Sequence, residues 1–379
     1  MVIYVVVFLI TIFCTAIAEK VEQNKLLFLI FSAIAVLVPA AVAGCRDLGI
    51  GTDTITYADH IFRLMVNRHY SFMQFLSSYK DEDFVGAEFI YLLINYIVSL
   101  FTDSVNWFYF VANLIVILFF YRAAYDNRKK GSMWLAMLFF LCLFYNLSLN
   151  IMRQSIAIGM TIYAYKYIEN KDWKRALIWL VIIFNAHSSG IFFVMLFFVR
   201  WVAYLKNYKL AIRLQVSFAL AISFLFIYFN SLLSLLAIVS DRFSKYEELY
   251  SDEQKKQTMV GLTTFFVLIL VLLFFVKKAL GIKRNRDMGL YIYNQILGIA
   301  FMTTSAISIT VGRISWYLNV LDCIYVPRAL RELSYRKKGY AQLLTVATVI
   351  LLIAIWYLGI IVSKWHDTYP YKSKILGLY

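Results

Sequence analysis

A chain of 379 residues with 62% hydrophobic and only 16% charged residues and a mean hydropathy of +0.72 is too apolar for a water-soluble domain. Its net charge of +15 sits in short loops between apolar runs, so it reads as a topology signal rather than a nucleic-acid surface. Bilayer hydrocarbon admits backbone only as helices or closed barrels, and the runs approach the ~20 residues of a spanning helix; the expectation is an all-α, polytopic integral membrane protein.

The first run, residues 1–18, ends in Thr-Ala-Ile-Ala. That ending resembles a signal-peptidase site, but no Lys or Arg precedes it, so the run is read as a retained span. A second run covers 26–44 and opens onto a long outer stretch, 45–104. Within it, residues 88–101 are apolar but short, and Glu88, Asn95, Ser99 and Thr102 recur at helical spacing as a thin polar stripe. Such a helix is expected to lie in the interface. Further spans are read at 105–121, 132–149, 152–168, 174–186, 188–205, 210–229, 259–276, 288–309, 314–330 and 341–362, about twelve in all. The second outer connection, 230–258, reads as an amphipathic helix over the membrane. With no repeat and no Pro- or Gly/Ser-rich linker, residues 1–379 are treated as one domain.

The charge pattern decides the status of residues 88–101. If they lie flat, every basic loop falls on one side, which then carries about two dozen Lys and Arg against about eight acids, and both termini lie outside. If they span, every later loop flips. Four scattered cysteines, Cys14, Cys45, Cys142 and Cys323, give no disulfide framework, and no His/Cys/Asp cluster has ligand spacing, so neither metal nor cofactor is expected.

Polar residues gather at the outer helix ends: Arg46, Asp47 and Asp53 after the second span, and Asn150, Arg153 and Gln154 in Asn-Ile-Met-Arg-Gln-Ser. Asn185 and His187 follow in Phe-Asn-Ala-His-Ser-Ser-Gly, and Arg313 in Val-Gly-Arg-Ile-Ser-Trp-Tyr. An arginine at that depth is costly unless it faces a cavity, pairs with an acid or holds an anion. One alone is explained by snorkelling to headgroups. Three with a histidine read as an outward-facing pocket for a phosphorylated amphiphile, because the guanidinium fork suits phosphate oxygens.

His187 is the candidate general base or acid, with Asn185 and Ser188 as orienting neighbours; the plain alternative is a packed, hydrogen-bonded histidine. Asp53 is the rival base, on a tight turn permitted by Gly49 and Gly51, and could equally be a turn-forming or N-cap residue. Glu88 is the candidate second acid on the interfacial helix, with plain solvent exposure as the alternative. Asp322, inside the eleventh span, is either a functional residue or a helix-pairing one, for instance with an asparagine elsewhere in the bundle. The catalytic candidates are therefore Arg46, Asp53, Arg153, His187 and Arg313, and the substrate-binding candidates Asp47, Thr52, Thr54, Tyr57, Glu88, Asn150, Gln154 and Tyr317.

The order Arg-Asp-Leu-Gly-Ile-Gly-Thr-Asp-Thr-x-x-Tyr, Asn-x-x-Arg-Gln-Ser-Ile-Ala, Phe-Asn-Ala-His-Ser-Ser-Gly, an arginine before an aromatic helix, and Tyr-Pro-Tyr at 369–371 resembles the EpsG branch of the Wzy-type polysaccharide polymerases. The resemblance runs over essentially the whole chain. It implies a bacterial envelope enzyme of the inner or sole membrane, active on the outer face, that joins undecaprenyl-pyrophosphate-linked oligosaccharide repeat units. The implied partners are those lipid-linked units, membrane lipid and a chain-length regulator, with no nucleic acid. The long first outer loop with interfacial helices also resembles the GT-C class of membrane glycosyltransferases. A lipid-linked-glycan ligase would share the chemistry with another acceptor. A flippase would place charges along a path through the bilayer, whereas here only Asp322 sits deep.

Overall fold

The computed structural model describes residues 1–80, 82–84, 86–227, 254–281, 286–306 and 312–378. Among the described residues the regular elements are all helical, apart from one isolated antiparallel bridge between Ser373 and Leu378. The helices are α1 (Val2–Lys20), α2 (Lys25–Gly44), α3 (Asp59–Arg68), α4 (Phe72–Ser78), α5 (Phe89–Ser99), α6 (Val105–Asn127), α7 (Met133–Asn150) and α8 (Met152–Glu169). They continue as α9 (Trp173–Ala186), α10 (Ser188–Ala203), α11 (Tyr208–Ile227), α12 (Gln254–Leu280), α13 (Arg286–Thr303), α14 (Asp322–Ser334) and α15 (Lys338–Val362). Six of these, α1, α2, α6, α7, α12 and α15, are long and apolar enough to cross a membrane.

Every apolar run read from the sequence is helical where it is described, with informative departures. α12 starts at Gln254, inside the stretch read as the outer connection 230–258; the rest of that stretch lies outside the described residues. α13 ends at Thr303, followed by a turn at Thr304–Ala306, and the end of the run read to 309 also falls outside them. The run 314–330 is not one helix. Short turns at Arg313–Ser315 and Trp316–Asn319 precede a tightening at Val320 and Leu321, and α14 begins only at Asp322.

Helix ends collect into two polar faces. On one, Glu19 accepts the Met133 N–H at 2.9 Å and lies 3.6 Å from Arg331. On the same face Arg328 grips Glu169 at 2.6 and 2.8 Å and Arg200 donates to the Glu169 carbonyl at 2.6 Å. On the other face the Tyr4 hydroxyl donates to the Thr368 carbonyl at 2.6 Å and Tyr371 to the Val42 carbonyl at 2.8 Å. Asn106, at the start of α6, donates to the carbonyls of Gly44 and Arg46 at 2.6 and 3.0 Å. The chain thus leaves α2 and enters α6 on the same face, so α3 to α5 form an excursion that does not cross the bundle. α5 has 11 residues, a length of about 16 Å. Its polar stripe turns inward: Asn95 is buried and donates to the Tyr91 carbonyl, and Ser99 to that of Tyr96.

Candidate functional site

The second face is organised around the turn after α2. Gly49 and Gly51 adopt φ of +94° and +87°, and at Gly51 a Cβ would stand 2.5 Å from the Leu149 carbonyl oxygen. Only glycine meets both conditions. Thr54 closes the turn, accepting the Gly49 N–H at 3.0 Å and donating to the Gly51 carbonyl at 2.7 Å. Asn150, at the end of α7, accepts the Asp53 N–H at 3.1 Å and the Thr52 hydroxyl at 3.3 Å. Thr54 and Asn150 therefore present the Thr52–Asp53 segment rather than open toward a ligand.

From Asp53 a polar network runs across four connections. Its carboxylate accepts the Tyr57 hydroxyl, and the Tyr57 ring lies 4.4 Å beneath the Arg153 guanidinium. Arg153 reaches Glu88 at 3.4 Å. Glu88 accepts the Ser188 N–H at 2.9 Å and lies 4.0 Å from His187 Nε2. His187 Nδ1 meets the Ser189 hydroxyl at 2.7 Å and accepts the Ser189 N–H at 3.1 Å. The Ser189 hydroxyl continues to the buried Tyr317 hydroxyl at 2.9 Å, and Gln154 links Ser189 to the Arg313 carbonyl at 3.4 and 3.3 Å.

The electrostatics follow from crowding. Burial raises the Asp53 carboxyl above its ordinary range, and the Tyr57 hydrogen bond, Arg313 and Arg153 act against that rise. His187 is pushed down to about 4 by burial, with Glu88 opposing and Arg153 and Arg313 reinforcing the shift. The imidazole is neutral at pH 7. Because a backbone N–H donates to Nδ1, its proton resides on Nε2, on the Glu88 side.

Asp53, Tyr57, Glu88, Asn150, Arg153, Gln154, His187, Arg313 and Tyr317 are thus brought together, with Thr52 and Thr54 in the supporting turn. Arg46 is not. It is fully buried, stacks 4.4 Å from the Tyr109 ring and donates to the Ala43 carbonyl at 2.7 Å and the Met152 sulfur at 3.3 Å. It ties the end of α2 to its neighbours. Asp47 is likewise occupied, accepting the Lys374 N–H at 2.9 Å. Asn185 is not the partner of His187: it donates back to the Val181 carbonyl at 2.8 Å, and Ser189 takes its place.

Besides Ser189, two residues of the C-terminal segment, His366 and Asp367, join the site without having been selected from the sequence. After α15 the chain folds back over the same face, its Asp367 carbonyl accepting the Gly51 N–H at 2.9 Å. The Thr52 hydroxyl lies 3.2 Å from the Asp367 carboxylate. Lys364, His366 and Asp367 all take left-handed φ, at 53°, 67° and 52°, a concentration of strain that surrounding contacts must hold. Burial and the nearby positive charge of Arg313 push His366 down to about 3. The available signal was a His-Asp pair just past the last apolar run, in a chain with only 4 histidines.

Compared with known protein families, residues 29–373 match the EpsG family. The chain belongs to the EpsG family. That membership is consistent with a Wzy-type polymerase family and supports an enzymatic role for this EpsG-family protein. No curated protein and no solved structure matches the chain.

Proposed function

We propose that this EpsG-family protein is a polysaccharide polymerase that joins undecaprenyl-pyrophosphate-linked repeat units by glycosyl transfer, with residues 1–379 as a single GT-C-like domain and the site on the outer face of a bacterial cell membrane. The observation that carries this reading is the convergence of two arginines from different connections, Arg153 and Arg313, on Asp53 and His187. That array offers cations for a leaving pyrophosphate beside groups that handle a proton.

In the proposed step a nonreducing-end hydroxyl of one lipid-linked unit attacks the anomeric carbon of the other. The bond from that carbon to the pyrophosphate oxygen breaks, undecaprenyl pyrophosphate departs, and the hydroxyl proton passes to Asp53. Arg153 and Arg313 offset the charge that develops on the leaving group. His187 acts as a neutral Nε2–H donor to substrate oxygen, and Glu88 holds Arg153 and the Ser188 backbone in place. Tyr317 and Gln154 position Ser189 and hence the imidazole. The lysine- and arginine-rich face is then cytoplasmic by the positive-inside rule, and the twelve helical runs alternate between the two faces with α5 lying apart.

The test is polymer length on a gel, using purified protein and its lipid-linked repeat units in detergent. A ladder that Asp53→Asn abolishes is the expected result. Protein that is folded but inert with its native repeat unit would favour transport instead, since detergent leaves no compartment to transport into.

A further inference from the structure

Just beyond Tyr317, four buried polar side chains line the junction of α13 with the run that leads into α14. Asn294, Gln295, Asn319 and Asp322 are all fully buried. Asn294 donates to the Leu318 carbonyl at 2.9 Å, which docks α13 on the segment before Asp322. Gly298, one turn further along α13, admits the Asn319 side chain: a Cβ there would overlap the Asn319 amide oxygen. Gln295 faces the Asp322 carboxylate, and its amide nitrogen gives one of its two N–H groups to the Phe266 carbonyl of α12 at 3.0 Å.

This cluster leaves a specific remainder. Asn294 Oδ1, Gln295 Oε1, Asn319 Oδ1 and both Asp322 carboxylate oxygens are buried with no hydrogen-bond partner, against one orphan nitrogen, Asn319 Nδ2. Orphan buried acceptors are costly, and an unpaired carboxylate far more so. Helix packing alone does not require them, because an aliphatic side chain at 322 would pack the same junction without the penalty. Between Asn319 and Asp322 the helix also tightens: Leu321, Cys323 and Ile324 donate to carbonyls three residues back at 3.1, 3.2 and 2.9 Å, and a 3₁₀ stretch inside a helical run often marks a functional position. Asp322 lies nine residues beyond Arg313 and six before Arg328, between the two polar faces.

We infer that Asn294, Gln295, Asn319 and Asp322 form a binding site for a small monovalent cation, with Na⁺ as the matching probe. The donor set is all hard oxygen, the kind that holds weakly polarisable cations. One carboxylate supplies one negative charge, so a monovalent ion makes the site neutral, while a divalent ion would leave a net charge in the bilayer core. A proton would cancel the charge too, but it bridges at most two oxygens, whereas a cation contacts several at once.

The experiment measures thermal unfolding of the purified full-length protein in detergent while NaCl replaces choline chloride at constant ionic strength. Binding to the folded state raises the midpoint with saturation. The expected result is a saturable Na⁺-dependent rise in wild type that disappears in Asp322→Asn, which keeps the shape and removes the charge. Radioactive sodium retained on the wild-type protein and not on Asp322→Asn is expected in parallel. Should Asp322→Asn fail to fold, Asn319→Ala and Asn294→Ala serve in its place, each expected to move the half-saturation to at least roughly ten-fold higher Na⁺. A midpoint indifferent to Na⁺, a rise that survives in the variants, or a response to pH alone that Asp322→Asn removes would each overturn the proposal, the last in favour of a proton. None of these readouts uses polymerisation, so the outcome is independent of the proposed activity.

Discussion

Arg46 and Arg153 both interrupt apolar sequence, yet their surroundings assign them different work. Arg46 has no exposed surface and spends its charge on the Tyr109 ring and the Ala43 carbonyl, so losing its geometry should lower the yield of folded protein. Arg153 and Arg313 stay half-buried beside Asp53 and His187. Lysine keeps the charge and loses the fork. Arg153→Lys and Arg313→Lys should therefore elute as monodisperse protein while polymer falls by roughly ten-fold or more, and Arg46→Lys should lose monodispersity first; full polymer yield in both Arg153→Lys and Arg313→Lys would remove the pyrophosphate assignment. For proton transfer, Asp53→Asn should cost a factor of roughly a hundred or more. His187→Gln, which keeps a donor, should cost less than His187→Ala, and equal losses would argue that the ring itself accepts the proton. Acid sensitivity follows from the same groups. His187 and His366 titrate near 4 and near 3 in the fold against an ordinary 6.5, so the unfolded chain takes up protons first on acidification. The stability they contribute is complete above about pH 6.5 and drains as pH falls toward 4. Thermal melts in detergent between pH 7 and 4.5 should show a falling midpoint, with a shallower slope in His366→Gln; an unchanged slope would place His366 in water.

At the level of elements, the turn after α2 and the return of the chain after α15 depend on each other. Gly51→Ala would both strain a φ of +87° and drive a methyl into the Leu149 carbonyl, whereas Gly49→Ala meets only Ile55 Cδ1 at 3.5 Å. The second should cost about 1–2 kcal/mol of left-handed strain; the first should cost clearly more and take activity with it, measured as melting midpoint and polymer yield. Equal costs would mean that the contact with α7 relaxes freely. This pairing also marks what the sequence could tell. The apolar runs, the inward turn of polar residues at helix ends and the shortness of residues 88–101 are local properties of composition and period, and they were readable. Arg46 looked like Arg153 because burial by a segment more than three hundred residues away, through Tyr371 and Ser373 on the end of α2, leaves no local trace. Asn185 was the expected partner of His187 for its proximity in sequence, but helical geometry sends its amide back one turn, and the extended backbone at His187 brings Ser189 under the ring instead.

Across the whole molecule, the two polar faces differ in kind. One is a lattice of matched charges, with Arg328 between Glu169 and Asn127, Lys166 on Asp126 and Arg128 on Glu22, which fastens helix ends together. The other concentrates two arginines, three carboxylates and two low-titrating histidines around one turn, an arrangement that costs stability unless a ligand uses it. Asn106 bonded to Gly44 and Arg46 sets α2 and α6 on the second face, so the sidedness of every later loop depends on α5 remaining uncrossed. Single cysteines at the exposed positions 80, 129 and 375 test this in a background from which Cys14, Cys45, Cys142 and Cys323 have been removed. Residues 80 and 375 belong to the face of the candidate site and residue 129 to the lysine- and arginine-rich face. An impermeant thiol reagent applied to intact cells or spheroplasts should modify 80 and 375 and spare 129 until the membrane is opened. Labelling of 129 alone would invert the protein, put the candidate site in the cytoplasm and overturn the proposed outer-face polymerase. Labelling of 80 and 129 together, with 375 spared, would mean that α5 carries the chain across after all.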